Sequence, residues 1–263
     1  MDNNPINLEN IWCKGLNTNN RKIKYDSIVE KLLKDNIYIS YDSIEFDKID
    51  IRLINRIKFQ LHLCFKLIEI KKLNDNIKID DDILYNVILA YYSINIDNID
   101  NFSIEGIIYL TINILNFYNN NIDKSFILLQ HIIDNMLVYI NYNDIILKTD
   151  IINILVPIFI YNISELCNNF NTCKFTIIDL YNVIFDWMKG CFSLRFSYSI
   201  CLRLYDIILY YNNDISYFLL FIYNIFNIYK YQLKNISSQQ IYQLVIDLPR
   251  RIGLDSNQFD NIL

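Results

Sequence analysis

Four glycines and three prolines are all that this chain of 263 residues offers for tight turns. Glycine supplies positive φ and proline a pre-set φ, and β-hairpins, barrels and sandwiches draw on both at short intervals. A chain so poor in them must join its elements by other turn chemistry. Asn and Asp are plentiful between the apolar runs and can serve, since their side chains bond to nearby backbone and tolerate left-handed φ. The runs themselves are mostly too long for strands. Helices joined by short polar loops are therefore expected, in spite of the strand propensity of the many Ile and Tyr. With 53% hydrophobic residues the chain can bury a substantial core, which argues against general disorder.

The clearest helix is Asp80-Asp81-Asp82-Ile83-Leu84-Tyr85-Asn86-Val87-Ile88-Leu89-Ala90-Tyr91-Tyr92. Three carboxylates precede an apolar set at helical spacing, where they can cap the free amides and meet the positive end of the helix dipole. The core Leu-Tyr-Asn-Val-Ile returns unchanged at Leu180–Ile184, and looser copies stand at Leu204–Ile208 and Ile222–Phe226. Other helices are expected near Asp26–Lys34, Asp47–Leu73, Ser103–Phe117, Asp123–Tyr139, Asp144–Cys167 (kinked or split at Pro157), Phe175–Met188, Ser197–Tyr211, Ile215–Leu233 and Gln239–Leu248. In Asp47–Leu73 the inward face reads as Ile51, Ile54, Ile57, Leu61, Phe65 and Ile68. The expected fold is all-α: stacked helical hairpins, solenoid-like in the manner of armadillo and HEAT arrays, with a compact helical bundle as the alternative. Residues 1–23 read as an irregular lead-in holding Trp12, residues 24–248 as the helical domain, and residues 249–263 as a tail after Pro249 and Gly253 end regular structure.

Catalytic chemistry needs convergent groups, and the sequence offers few. His62 and His131 are far apart, each inside an apolar helical pattern. The glycines at 15, 106, 190 and 253 are isolated, so no phosphate-cradling loop is expected. Cys167, Cys173, Cys191 and Cys201 lack the close pairs of a structural zinc site. With Cys13 and Cys64 they read as reduced thiols, and capping accounts for Asp80–Asp82 without a metal. No catalytic residue, cofactor, metal or small-molecule substrate is expected. The charge-free run 215–229 is short for a membrane span and is broken by Asn224 and Asn227, so a buried helix is expected there. No signal or transit peptide is evident, which places the chain in the cytoplasm by default, with an organelle as the alternative.

The net charge of −5 is unevenly spread. Residues 1–80 carry 14 basic and 12 acidic side chains, residues 81–188 carry 3 and 12, and residues 189–263 carry 7 and 5. An acidic middle repels phosphates, so a nucleic-acid groove along the whole chain is disfavoured. Two local basic features remain as contacts for a protein partner or RNA. Lys48, Arg52 and Arg56 stand four apart on one helix face with Lys58 nearby, and Arg250-Arg251 follow Pro249. The bland alternative is a set of solvated charges interleaved with Asp47, Asp50 and Asp247.

The recurring Leu/Ile-Tyr-Asn/Asp-Val/Ile-Ile/Phe helices and their Asn-rich turns, over residues 80–248, resemble the degenerate helical-repeat proteins of apicomplexan parasites. Abundant Ile, Asn, Lys, Tyr and Asp fit such AT-rich genomes, as they fit those of large DNA viruses and slime moulds. The resemblance implies a repeat architecture and a role as an organellar RNA-binding or ribosome-associated scaffold. The acidic middle and the missing import signal depart from that group. The expectation is a non-enzymatic helical scaffold bound to a protein partner in a larger assembly. The alternatives are an RNA-binding helical-repeat protein and a helical protein of a large DNA virus.

Overall fold

The structure is a computed structural model that describes residues 16–46, 49–71, 79–95, 104–140, 177–189, 192–210, 215–234 and 238–254. Among these residues it is all-helical and holds no strand. The helices are α1 (Thr18–Lys34), α2 (Ile51–Lys71), α3 (Asp81–Ile94), α4 (Ile104–Phe117), α5 (Ile122–Ile140), α6 (Ile177–Lys189), α7 (Tyr198–Tyr210), α8 (Ile215–Lys234) and α9 (Ser238–Leu254). A 3-10 turn, Tyr41–Ser43, lies between α1 and α2. The expected Asp144–Cys167 helix, with Pro157, lies outside the described residues, as do Trp12, Cys13, Cys167, Cys173 and Cys191.

The helices fall into two compact units. The first runs from Asn17 to Val138 and includes Lys189–Leu194, so it holds α1 to α4 and α5 up to Val138. The second contains Leu16, α6 up to Met188, and α7 to α9.

Asparagine does the work of glycine in the first unit. At the end of α1, Asn36 has φ 50° and the Ile37 amide returns to the Leu32 carbonyl at 3.1 Å, the six-to-one bond of a left-handed helix stop. The same device ends α4. Asn119 and Asn120 have φ 51° and 62°, and the Asn120 amide donates to Leu115 at 2.9 Å. Asn121 then opens α5, its Oδ1 accepting the Lys124 amide at 3.0 Å. Three consecutive asparagines thus stop one helix and start the next.

Asp80 caps α3 as the sequence suggests. Its Oδ1 accepts the amides of Asp82 at 3.0 Å and Ile83 at 3.2 Å, while Asp81 and Asp82 occupy the first turn. Leu84, Val87, Ile88 and Tyr91 then face inward with Tyr92. α4 is buried almost all round, from Ile104 through Leu115, and is the central helix of this unit. α2, α3 and α4 each pack on the other two. α1 is joined to the group by the Tyr25–Phe117 ring contact at 4.9 Å and the Lys124–Asp26 ion pair at 2.7 Å.

In the second unit Trp187 of α6 stacks on Phe226 of α8 at 6.1 Å and meets Phe196 edge-on at 5.6 Å, and Phe196 in turn touches Phe221. α7 is buried from Ile200 through Ile208 apart from a half-buried Arg203. α8, whose first fifteen residues carry no charge, buries Phe221, Ile222, Ile225, Phe226, Tyr229 and Leu233. No helix among the described residues is long and apolar enough to cross a membrane.

Three expectations are corrected. α1 begins at Thr18, inside the expected lead-in, because Asn17 caps it by accepting the Asn20 amide at 2.9 Å and because Arg21 and Tyr25 bury a turn earlier than the apolar pattern shows. α9 continues through Pro249 to Leu254. Proline removes one bond to the carbonyl four residues back, but Leu244, Val245 and Leu248 bury the preceding face in a helix packed on α8. The inward row of α2 is Leu53, Ile57, Leu61 and Cys64, so Ile51 is not a core residue.

Candidate interaction surface

α2 carries its apolar residues on two sides. The inner row packs on α3 and α4. On the outer side Ile51, Phe59 and Leu63 are 64%, 60% and 38% exposed. With exposed Asn55 they lie four residues apart, so they form one ridge along the helix, about 18 Å from end to end at 1.5 Å per residue. Beside it runs a second ridge of Arg52 and Arg56, both exposed. No Asp or Glu occurs between Asp50 and Glu69, whereas Arg52, Arg56, Lys58 and Lys66 do. The outer face is therefore an apolar ridge flanked by cations.

Its start is fixed by Asp50, whose Oδ1 accepts the Arg52 amide at 2.8 Å and whose carbonyl accepts the Ile54 amide at 3.1 Å. Arg56 also lies close enough to the buried Tyr92 hydroxyl to offset part of the rise in its pKa that burial causes. Lys58 turns toward α3, its Nζ 5.4 Å from the centroid of the Tyr85 ring. Of the basic stripe read from the sequence, Arg52 and Arg56 thus share a face, Lys58 leaves it, and Lys48 lies outside the described residues. Arg250 and Arg251 belong to α9 in the second unit, where Arg251 is exposed. The two basic features thus belong to different units.

A second polar grouping joins α5 to the segment after α1. The Tyr38 hydroxyl lies 3.2 Å from His131 Nδ1, and Asn135 Nδ2 lies 3.3 Å from His131 Nε2. The Asp134 carboxyl lies close enough to the Tyr38 hydroxyl for the two to influence each other's protonation. Gln130 Nε2 donates to the Ile39 carbonyl at 3.0 Å, pinning the same segment. Since an amide NH2 can only donate, it bonds to an unprotonated Nε2. A neutral ring with its proton on Nδ1 would accept from Asn135 and donate to the Tyr38 oxygen. Burial lowers the His131 pKa. Burial, and then the nearby Asp134, raise that of Tyr38. Loss of solvent around the Asp134 carboxyl raises its pKa, partly offset by the Tyr38 bond. Every member of this chain of bonds has a partner within the fold, and its geometry is that of a clamp. The sequence places His131 in an apolar helical pattern and gives no sign of Tyr38.

Burial, with Glu105 nearby, pushes the Cys64 thiol up to about 12, so it holds almost no thiolate at neutral pH. Cys201 is buried and bonds to the Phe196 carbonyl at 3.7 Å. Among the described residues no group of three or more His, Cys, Asp or Glu is placed to hold a metal ion. The chain matches no protein-family model, no curated protein and no solved structure.

Proposed function

We propose that this chain is a non-enzymatic helical scaffold, a stack of helical hairpins, that takes a protein partner on the outer face of α2. The observation that carries the reading is the exposed ridge of Ile51, Phe59 and Leu63 beside Arg52 and Arg56. Apolar side chains aligned along one helix face, with a charged flank, are the composition of a docking surface rather than of a solvated one. Mutual packing of α2, α3 and α4 supports the stacked arrangement, because neighbours and next neighbours touch in such arrays. The test is affinity purification of the tagged full chain from its native cells beside a Phe59→Asp variant. A partner recovered with the wild type and lost with the variant supports the reading. A monomer with no partner, or partners that ignore the variant, removes it.

A second reading is RNA binding on the same face, favoured by the exposed Phe59 ring standing among arginines, since bases stack on aromatic rings and phosphates pair with guanidinium groups. Filter binding of a single-stranded RNA at several salt concentrations tests it. Salt-dependent binding that falls on replacing Arg52 and Arg56 supports it, and absence of such binding removes it.

A further inference from the structure

We infer that the partner seated on the α2 ridge is a second copy of this chain, which covers Ile51, Phe59 and Leu63 with an acidic, apolar patch formed by the segment after α1 and the α5 face beneath it. The inference rests on the reading of the α2 face as a docking surface and names its occupant.

The patch is built by the segment that the clamp holds. Tyr38 reaches His131, the Ile39 carbonyl accepts from Gln130 at 3.0 Å, and the Tyr41 ring meets Phe126 edge-on at 5.9 Å. The segment therefore runs along α5 in the reverse direction. With Tyr38 and Tyr41 turned inward, Ile37 and Ile39 are left 56% and 47% exposed, and Leu33 on the last turn of α1 is 39% exposed. Ile23 and Glu30, seven residues apart, extend this surface along the outer side of α1. Carboxylates surround the apolar side chains. Asp35 and Asp42 on the segment and Asp123 and Asp134 on α5 are all exposed. Burial raises the Tyr41 pKa, and Asp123 and Asp42 lie close enough to raise it further, as Asp134 does at Tyr38. Lys124 is held by Asp26 at 2.7 Å. Exposed Glu30, Asp35, Asp42, Asp123 and Asp134 thus outnumber the exposed lysines of α1, Lys22, Lys31 and Lys34.

The α2 ridge is the complement of this patch. No acid falls between Asp50 and Glu69. Arg56 is already engaged within the fold and Lys58 stands over the Tyr85 ring, so exposed Arg52 is the cation offered to the acids of the patch. In the contact apolar side chains cover apolar ones, and Arg52 finds carboxylates at the edge. Pairing of the ridge with itself is disfavoured, because two such helices would bring cations together with no acid between them. Since ridge and patch differ, every copy offers one of each, and the contact either closes as a two-fold pair or continues from copy to copy.

The test is sedimentation velocity of the full chain at rising concentration, in low and in raised salt. The wild type should self-associate, and less so at raised salt. Phe59→Asp and, separately, Ile37→Lys/Ile39→Lys should each stay monomeric. Mixed, they should form one-to-one pairs, because one chain supplies an intact patch and the other an intact ridge. Arg52→Glu should weaken association about tenfold, as should Asp42→Lys/Asp123→Lys, and a chain carrying all three changes should recover most of that loss. This charge series uses exposed positions only, and it decides the matter where an apolar change disturbs the fold, which circular dichroism and unfolding of each variant show. A wild type that stays monomeric throughout overturns the inference. So does self-association that persists in Ile37→Lys/Ile39→Lys, or a combined charge variant that recovers nothing. A monomeric chain from which a different protein is recovered, and lost on Phe59→Asp, removes the second copy alone. Failure of both experiments removes the docking surface itself.

Discussion

The backbone amide of Leu16 donates to Oδ2 of Asp206 at 3.0 Å, a bond between residues 190 positions apart. Asp206 is the third position of the recurring motif in its copy at Leu204–Ile208, and it is fully buried. In the copies at Leu84 and Ile222 that position is a half-buried Asn. The Asp206 carboxylate thus anchors the backbone at Leu16.

Asp206→Ala should leave the Leu16 amide without its acceptor and destabilise the second unit by about 1–3 kcal/mol. Asp206→Asn keeps an acceptor oxygen and should cost less. Urea unfolding followed by tryptophan fluorescence reports on this unit, because Trp187 lies in its aromatic cluster.

The asparagines with positive φ make a second case. Asn119→Gly should be neutral or slightly stabilising, since its φ of 51° suits glycine, whereas Asn119→Ala should cost about 1 kcal/mol. Thermal unfolding of the two variants should order them Gly above Ala. The reverse order would mean that the left-handed turn is not what the residue supplies.

At the start of α3, Asp80→Ala removes the acceptor of two amides and should destabilise by about 1 kcal/mol. Asp80→Asn, an equally good cap, should lose only the smaller interaction of a charge with the helix dipole. Equal losses in the two variants would assign the effect to charge rather than to capping.

These cases mark what a single sequence discloses. The cap at Asp80 and the stop at Asn119–Asn121 are local, so a chain starved of glycine displays them openly. The first turns of α1 hide because Thr-Asn-Asn-Arg-Lys has no apolar period, and burial of Arg21 follows from packing alone. The phase of α2 hides for the opposite reason. Apolar residues occupy both sides of that helix, and the spacing that finds the buried Ile57 and Leu61 also takes in the exposed Ile51 and passes over the buried Leu53. The candidate surface was half legible: Arg52 and Arg56 stand out as a four-residue spacing, but Ile51 reads as core and Phe59 and Leu63 are not singled out. The Tyr38–His131 clamp is wholly non-local, its members standing 93 positions apart.

The clamp sets a pH dependence. His131 has its pKa lowered from 6.5 by burial, so the folded state favours the neutral ring. Its contribution is fully present above 6.5 and is lost as pH falls below that value, because the unfolded chain takes up the proton more readily. Asp134, with its pKa raised from 3.8 by desolvation, acts in the opposite sense and lower on the scale, favouring the fold as pH falls toward 3.8. The wild type should therefore lose stability from pH 7.5 to 5.5 more steeply than His131→Gln. Parallel curves for the two proteins would show that His131 does not titrate with folding.

Hydroxyl-radical footprinting of the full chain, free and with its recovered partner, tests the docking surface most directly. Phe59 is 60% exposed and Ile51 64%, so both should label readily in the free protein, as should Tyr231 at 70% on α8. The account predicts that labelling of Ile51, Phe59 and Leu63 falls by about fivefold or more in the complex, as expected for residues buried at the core of an interface, while Tyr231 is unchanged. Undiminished labelling of Phe59 in a saturated complex would contradict it.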